Sequence, residues 1–306
     1  LIEDLTSRIA ELKRSRNAVI LAHNYQLGEI QDIADFVGDS LGLSIEASHT
    51  QAALIVFCGV HFMAETAKIL SPQKKVIMPI VNAGCPMADM ITAEGLKKLK
   101  AENPKAKVVC YVNTSAEVKA ESDICCTSAN AAKVVNSIKD TEEIIFVPDK
   151  YLGMYTQSKV KDKKFIFWEG YCPTHMRILP RDIEKLKAEH PRAKVLVHPE
   201  CRPEVIALAD EVLSTEGMIN FAKKSEASEI IVGTEIGLLH RLRKENPGKT
   251  FYPASELATC PNMKLTTLEK LLWSLEEEKT EITVPPAIAN RARSAIQRMI
   301  EIGRQD

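Results

Sequence analysis

The chain repeats itself three times, and this constrains its fold more than any other feature. Residues 97–111 read KKLKAENPKAKVVCY and residues 184–198 read EKLKAEHPRAKVLVH, nine of fifteen positions being identical at an offset of 87 residues. Other landmarks keep the period. Apolar segments end at His23, Tyr111 and His198, in steps of 88 and 87. A hydroxyl follows a shorter segment at Ser40, Ser128 and Thr215, in the same steps, and a Cys-Pro pair comes last at Cys85, Cys172 and Cys260, in steps of 87 and 88. One period held by several landmarks marks tandem structural units.

Within each unit short β runs (53–57 ALIVF, 143–147 EIIFV, 229–233 EIIVG) alternate with helical stretches such as 29–37, 62–70 and 204–209. Such alternation implies parallel strands joined by helical crossovers. The expected class is α/β: three tandem αβα sandwich units with parallel sheets, arranged with pseudo-threefold symmetry about a shared centre. The expected boundaries are 1–84 with 261–306, then 85–171, then 172–260. The amphipathic helical segment 262–303 is expected to fold back on the N-terminal unit and complete it. About 87 residues is small for an independent unit, so the three should pack together.

Composition narrows the function. Hydrophobic residues are 45% and charged residues 26% of the 306, which excludes a disordered or collagen-like chain. With 40 Lys+Arg against 41 Asp+Glu the net charge is −1, so nucleic acid is not an expected partner. No apolar run nears the roughly 20 residues of a membrane span. Residues 1–17 are charged and helix-patterned, without the apolar core of a secretory leader, and the expected compartment is the cytoplasm.

Of eight cysteines, Cys85, Cys172 and Cys260 alone precede proline, one per unit. If the units surround a common axis, the three thiols converge. Proline suits the first position of a helix, so each sulfur should lie near a helix N-terminus, where a thiolate is favoured. Three thiols without a fourth matching cysteine suit a [4Fe–4S] cluster with one iron free to bind substrate. A Cys₃His zinc site with His175 as fourth ligand, or three buried cysteines, stay open on spacing alone. Cys58, Cys110, Cys125, Cys126 and Cys201 lie in or beside apolar segments and read as core.

Ligands of α/β sheets bind beyond the carboxyl ends of the strands. Those ends carry His23-Asn24-Tyr25, Tyr111-Val112-Asn113 and His198-Pro199-Glu200, a phased set expected to face one cavity and to do acid–base work on a polar small molecule. Ser40, Ser128 and Thr215 each precede a helical stretch and are expected as N-caps whose helix ends also favour anions. Asp39, Asp149 and Glu235 have nothing to separate them from solvated charges, and Arg177 and Arg181 are expected in water.

The segments LAHNYQ, DIADFVGDS, GCPMA, YVNTSAE, CTSANA, GYCPTH, VHPEC, STEGM, GTEIGLLH and CPNMK, running in order from residue 17 to 264, resemble the quinolinate synthase family. The resemblance implies three αβα domains around a [4Fe–4S] cluster on Cys85, Cys172 and Cys260. It implies condensation of iminosuccinate (iminoaspartate) with dihydroxyacetone phosphate to quinolinate, with release of phosphate and two waters, and functional coupling to the enzyme supplying iminosuccinate. The implied substrate-binding positions are His23, Ser40, Tyr111, Asn113, Ser128, His198, Glu200 and Thr215. Tyr25 and His175 lie inside matching motifs and are expected in the pocket. Proton transfer is expected of Tyr25, His23, Glu200 and Tyr111. A radical enzyme of the diphthamide-synthesis type, using S-adenosylmethionine, is the alternative that shares a one-cysteine-per-domain cluster. A zinc-stabilised binding module is a further one.

Overall fold

The computed structural model describes residues 2–306. Its strands form three separate four-stranded sheets. The first contains β1 (Ala18–His23), β2 (Phe36–Gly38), β3 (Leu54–Cys58) and β4 (Lys75–Ile77). The second contains β5 (Lys107–Tyr111), β6 (Ile124–Cys126), β7 (Glu143–Val147) and β8 (Lys164–Phe167). The third contains β9 (Lys194–Val197), β10 (Glu211–Val212), β11 (Glu229–Gly233) and β12 (Thr250–Pro253). Their orders are β2-β1-β3-β4, β6-β5-β7-β8 and β10-β9-β11-β12, one topology used three times. Every pair within these sheets is parallel.

The strand sequences explain the parallel arrangement. Leu54–Cys58 (LIVFC) is buried at every position, and Lys107–Tyr111 (KVVCY) at all but the first. Continuous apolar runs without polar alternation need cover on both faces, which helical crossovers provide. In each order the second strand lies on one side of the first and the third on the other. The switch point therefore falls at the carboxyl ends of β1, β5 and β9, the positions of His23, Tyr111 and His198.

The C-terminal segment divides its packing. Helix Leu268–Glu277 lays Leu268, Leu271 and Leu275 on Ile9 of the N-terminal helix. Helix Pro286–Ile302 packs instead mainly on helix Ala116–Ala120 and β6 of the second unit, and also touches helix His61–Leu70 of the first. Its stripe of Ala289, Ala292 and Ala295 lets it approach closely between the two units. Among the described residues no helix is long and apolar enough to cross a membrane.

One glycine near the site is required by contact. A Cβ on Gly170 would stand 2.4 Å from the carbonyl oxygen of Pro148. Here Lys150 N donates to Gly170 O at 2.9 Å, tying the end of β7 to the segment that leads into Cys172. Gly170→Ala must push backbone apart. It is expected to cost about 1–3 kcal/mol, seen as a melting midpoint lowered by about 2–4 °C per kcal/mol. An unchanged midpoint would contradict this reading of the turn.

Candidate active site

All three units turn the carboxyl ends of their strands toward one cavity of about 190 Å³. The first sheet and the segment after it contribute His23, Tyr25, Ser40 and, past β4, Cys85; the second sheet and the segment after it, Tyr111, Asn113, Ser128 and, past β8, Cys172 and His175; the third, His198, Glu200, Thr215 and, past β12, Cys260. These residues line a single space. Val60, Phe62, Met63, Met87 and Met263 form its apolar wall.

Three expectations are corrected. Ser40 and Thr215 are not N-caps but the first residues of their helices; the caps are Asp39, accepting from Gly42 N, and Ser214, accepting from Gly217 N. Ser128 lies two residues before the cap Asn130. In the first and third units an acceptor one residue earlier, in extended geometry, performs the capping. Asn24 is not on the cavity: it is fully buried, donates to Thr215 Oγ1 at 2.9 Å and accepts from Arg241 at 3.0 Å. Asp39, Asp149 and Glu235 are not solvated charges but are 5%, 0% and 0% exposed. Asp39 pairs with Arg304, and Glu235 with Lys264 at 2.9 Å. Burial and then the charge of Glu200 push the Asp149 carboxyl well above its ordinary value. Arg177 is exposed as expected, though it donates to the carbonyls of Leu257 and Thr259 at 3.2 and 3.3 Å beside the cavity.

A hydrogen-bonded and electrostatic chain joins the units. Tyr25 Oη lies 2.6 Å from Thr234 Oγ1, which lies 2.9 Å from His175 Nε2. His175 Nδ1 is 2.8 Å from Glu200 Oε2, a close contact that is not aligned as a hydrogen bond. Glu200 Oε1 in turn accepts from Tyr111 Oη. Two phenols from different units are thereby linked through a threonine, a histidine and a glutamate of the segment 172–235. Thr234 is absent from the expected site residues although it lies within the segment GTEIGLLH, directly after β11.

Burial decides the charges. It raises Tyr25 and Tyr111 well above the ordinary phenol value, and the negative charge of Glu200 raises them further. Burial also opposes ionisation of Glu200, but the charges of His175 and His198 and the Tyr111 hydrogen bond outweigh it and hold the carboxyl well below its ordinary range. Burial lowers His23 to about 4 and His198 to about 3, so both are neutral near pH 7. Tyr25 N donates to His23 Nδ1 at 3.1 Å, and Glu200 N donates to His198 Nδ1 at 3.4 Å. An accepting Nδ1 leaves the proton on Nε2. His198 Nε2 is 3.2 Å from Ser128 Oγ. The Asn113 amide oxygen is buried without a partner on the cavity wall, an acceptor waiting for a donor.

Each Cys-Pro leads into a three-residue 3₁₀ turn, Ala88–Met90, His175–Arg177 or Asn262–Lys264, rather than an α-helix. Burial pushes the Cys85 thiol up to about 12 despite backbone N–H donors from Ala88 and Met87. Burial likewise raises Cys172 and Cys260 against donors from His175, Asn262 and Met263. Desolvation here exceeds the pull of a few N–H dipoles on each sulfur. A bound metal removes such protons outright. Three half-buried thiols on one wall, each facing backbone donors, suit a metal centre. The other five cysteines are buried and free.

Three parallel-sheet units presenting three thiols and a chain of phenol, hydroxyl, imidazole and carboxylate groups to one cavity fit an α/β enzyme with a metal cofactor. The family model described as quinolinate synthetase A protein matches residues 7–301. A quinolinate synthase of Dehalococcoides mccartyi is 60% identical over 300 residues, covering 98% of this chain and 99% of the relative. Quinolinate synthase 1 of Methanosarcina acetivorans is 58% identical over 299 residues, covering 98% of each chain. The quinolinate synthase of Geobacter metallireducens is 56% identical over 302 residues, covering 99% of each. The chain belongs to the quinolinate synthetase A family.

Proposed function

We propose that this chain condenses iminosuccinate with dihydroxyacetone phosphate to form quinolinate, releasing phosphate and two waters. The observation that carries the reading is the convergence of Cys85, Cys172 and Cys260 on the cavity that also holds the Tyr25–Thr234–His175–Glu200–Tyr111 chain. The family match across residues 7–301 supports it over an S-adenosylmethionine-dependent enzyme.

The three thiols would hold a [4Fe–4S] cluster. A tetrahedral zinc with bonds of about 2.3 Å needs sulfurs roughly 4 Å apart. The ligand atoms found within 4.8 Å of one another are those of Cys172, His175 and Glu200, and the three cysteines do not form such a group. His175 groups with Cys172 and Glu200 and not with the other two cysteines. A larger centre suits the wider spacing. When bound, the cluster supplies Lewis acidity for the loss of water.

The chain's own residues do the rest. Tyr25, a protonated phenol at cavity pH, gives or takes a proton through Thr234 and His175, while the ionised Glu200 stabilises positive charge on the histidine. Tyr111 is oriented by the same carboxylate. His23 and His198 offer Nε2–H donors without adding charge. Asn113 and the hydroxyls of Ser40, Ser128 and Thr215 hold carboxylate or phosphate. The apolar wall limits water around the reacting imine.

An imine hydrolyses readily in water, so the enzyme that supplies it is expected to be functionally coupled to this one. Eight free cysteines suit a reducing compartment, and we assign the reaction to the cytoplasm. The test is an oxygen-free assay with dihydroxyacetone phosphate and iminosuccinate generated in place. Quinolinate should form only when both are present; none with iron-replete protein would overturn the proposal.

A further inference from the structure

The segment after helix Pro286–Ile302 threads between the units behind the cavity. Arg304 grips the Asp39 carboxylate with two hydrogen bonds of 2.8 Å, and reaches Ser214 Oγ at 3.4 Å and Asp306 Oδ1 at 3.2 Å. Gln305 N donates to Ala129 O at 2.9 Å, and Asp306 Oδ2 accepts from Ser214 N at 2.9 Å. The segment therefore touches the residues adjoining Ser40, Ser128 and Thr215, one in each unit. Asp39 lines the cavity while capping the helix that begins at Ser40. Nothing in the mechanism uses these contacts.

We propose that Arg304 is a positioning residue that holds Asp39 as half of an ion pair, so that the cavity wall bearing Ser40 and Thr215 accepts an anionic ligand. A carboxylate on that wall without its guanidinium would repel the carboxylates and phosphate the site must take. Burial gives the repulsion little screening. The nearby His23 is neutral near pH 7 and does not replace the lost charge. The planar, bidentate grip also fixes Asp39 against Gly42 N, and with it the direction of Ser40. Arg304 also touches Asp306, but its two shortest bonds, both 2.8 Å, go to Asp39.

The inference rests on the synthase reading, and the test separates the two. Quinolinate is titrated calorimetrically into wild type, Arg304→Gln, Arg304→Lys and the double variant Arg304→Gln/Asp39→Asn, all purified without oxygen, with iron content and melting midpoint recorded. Arg304→Gln should weaken quinolinate binding by about thirtyfold or more, the usual scale for leaving a buried charge unpaired, and raise KM for the anionic substrates while kcat stays within about threefold. Arg304→Lys, which keeps the charge, and the double variant, which removes the unpaired one, should each bind within about threefold of wild type. Unchanged binding by Arg304→Gln overturns the inference. So does a loss that the double variant fails to relieve, which would mark a purely structural tail. If Arg304→Gln does not fold, tenfold weaker binding by a stable Arg304→Lys overturns it equally. Wild type that makes quinolinate while Arg304→Gln behaves identically removes this inference alone; wild type that neither makes nor binds quinolinate removes the synthase reading with it.

Discussion

Cys172→Ser is expected to leave the protein without its full iron complement and to lower quinolinate formation by a factor on the order of 10³ or more, the scale of several kcal/mol of lost metal assistance. Cys172 is the central case because it joins the thiol set to the proton-transfer chain: its sulfur, His175 and Glu200 offer ligand atoms within 4.8 Å of one another. Serine cannot replace it. A buried hydroxyl loses its proton far less readily than a thiol and binds iron poorly beside two thiolates. The fold should persist, since Cys172 is only half-buried and follows the β7–Gly170 tie rather than forming it. Cys58→Ala serves as the comparison: it removes a buried thiol at the end of β3 that does not line the cavity, and should keep the iron. Iron analysis, circular dichroism and turnover separate the outcomes. Full activity in Cys172→Ser would remove the three-cysteine centre from the account.

Tyr25→Phe should keep the iron and slow turnover by a factor of about 10²–10⁴, the usual scale for losing an acid–base group. The phenol sits edge-on to His23 with ring centroids 4.6 Å apart, and its hydroxyl is the outer end of the chain through Thr234. Phenylalanine keeps the ring and its packing, so any effect belongs to the hydroxyl. Burial and Glu200 keep that hydroxyl protonated, which suits an acid that reclaims its proton through Thr234 and His175. The loss should fall on kcat rather than KM, because the group is needed most where protons move. An unchanged kcat would take Tyr25 out of the chemistry and leave Tyr111 as the remaining phenol.

Much of this site was legible in the sequence because the repeat carries it. His23, Tyr111 and His198 share a phase, and so do Ser40, Ser128 and Thr215; a fold that repeats its topology brings equal phases to one place. The three Cys-Pro pairs were readable for the same reason, although no local spacing joins them. What escaped breaks the repeat or depends on burial. Thr234 has Pro148 as its counterpart after β7, so phase did not point to it. Asn24 alternates away from its neighbours His23 and Tyr25, and only the meeting of the first and third units turns it to Thr215. Asp39 and Glu235 resemble surface charges until the distant partners Arg304 and Lys264 are seen beside them. Ser40 and Thr215 look like caps in the sequence because a hydroxyl before a helix usually is one; the residue ahead of each does that work and leaves them to the cavity.

We propose that three cysteines, one from each repeat, hold an iron–sulfur cluster at the shared cavity. This is tested most directly by the iron and sulfide content and absorbance of protein purified without oxygen. Brown protein with about four irons and four sulfides per chain is expected, both lost together in Cys85→Ser, Cys172→Ser or Cys260→Ser. Colourless protein carrying one zinc and no iron would contradict it.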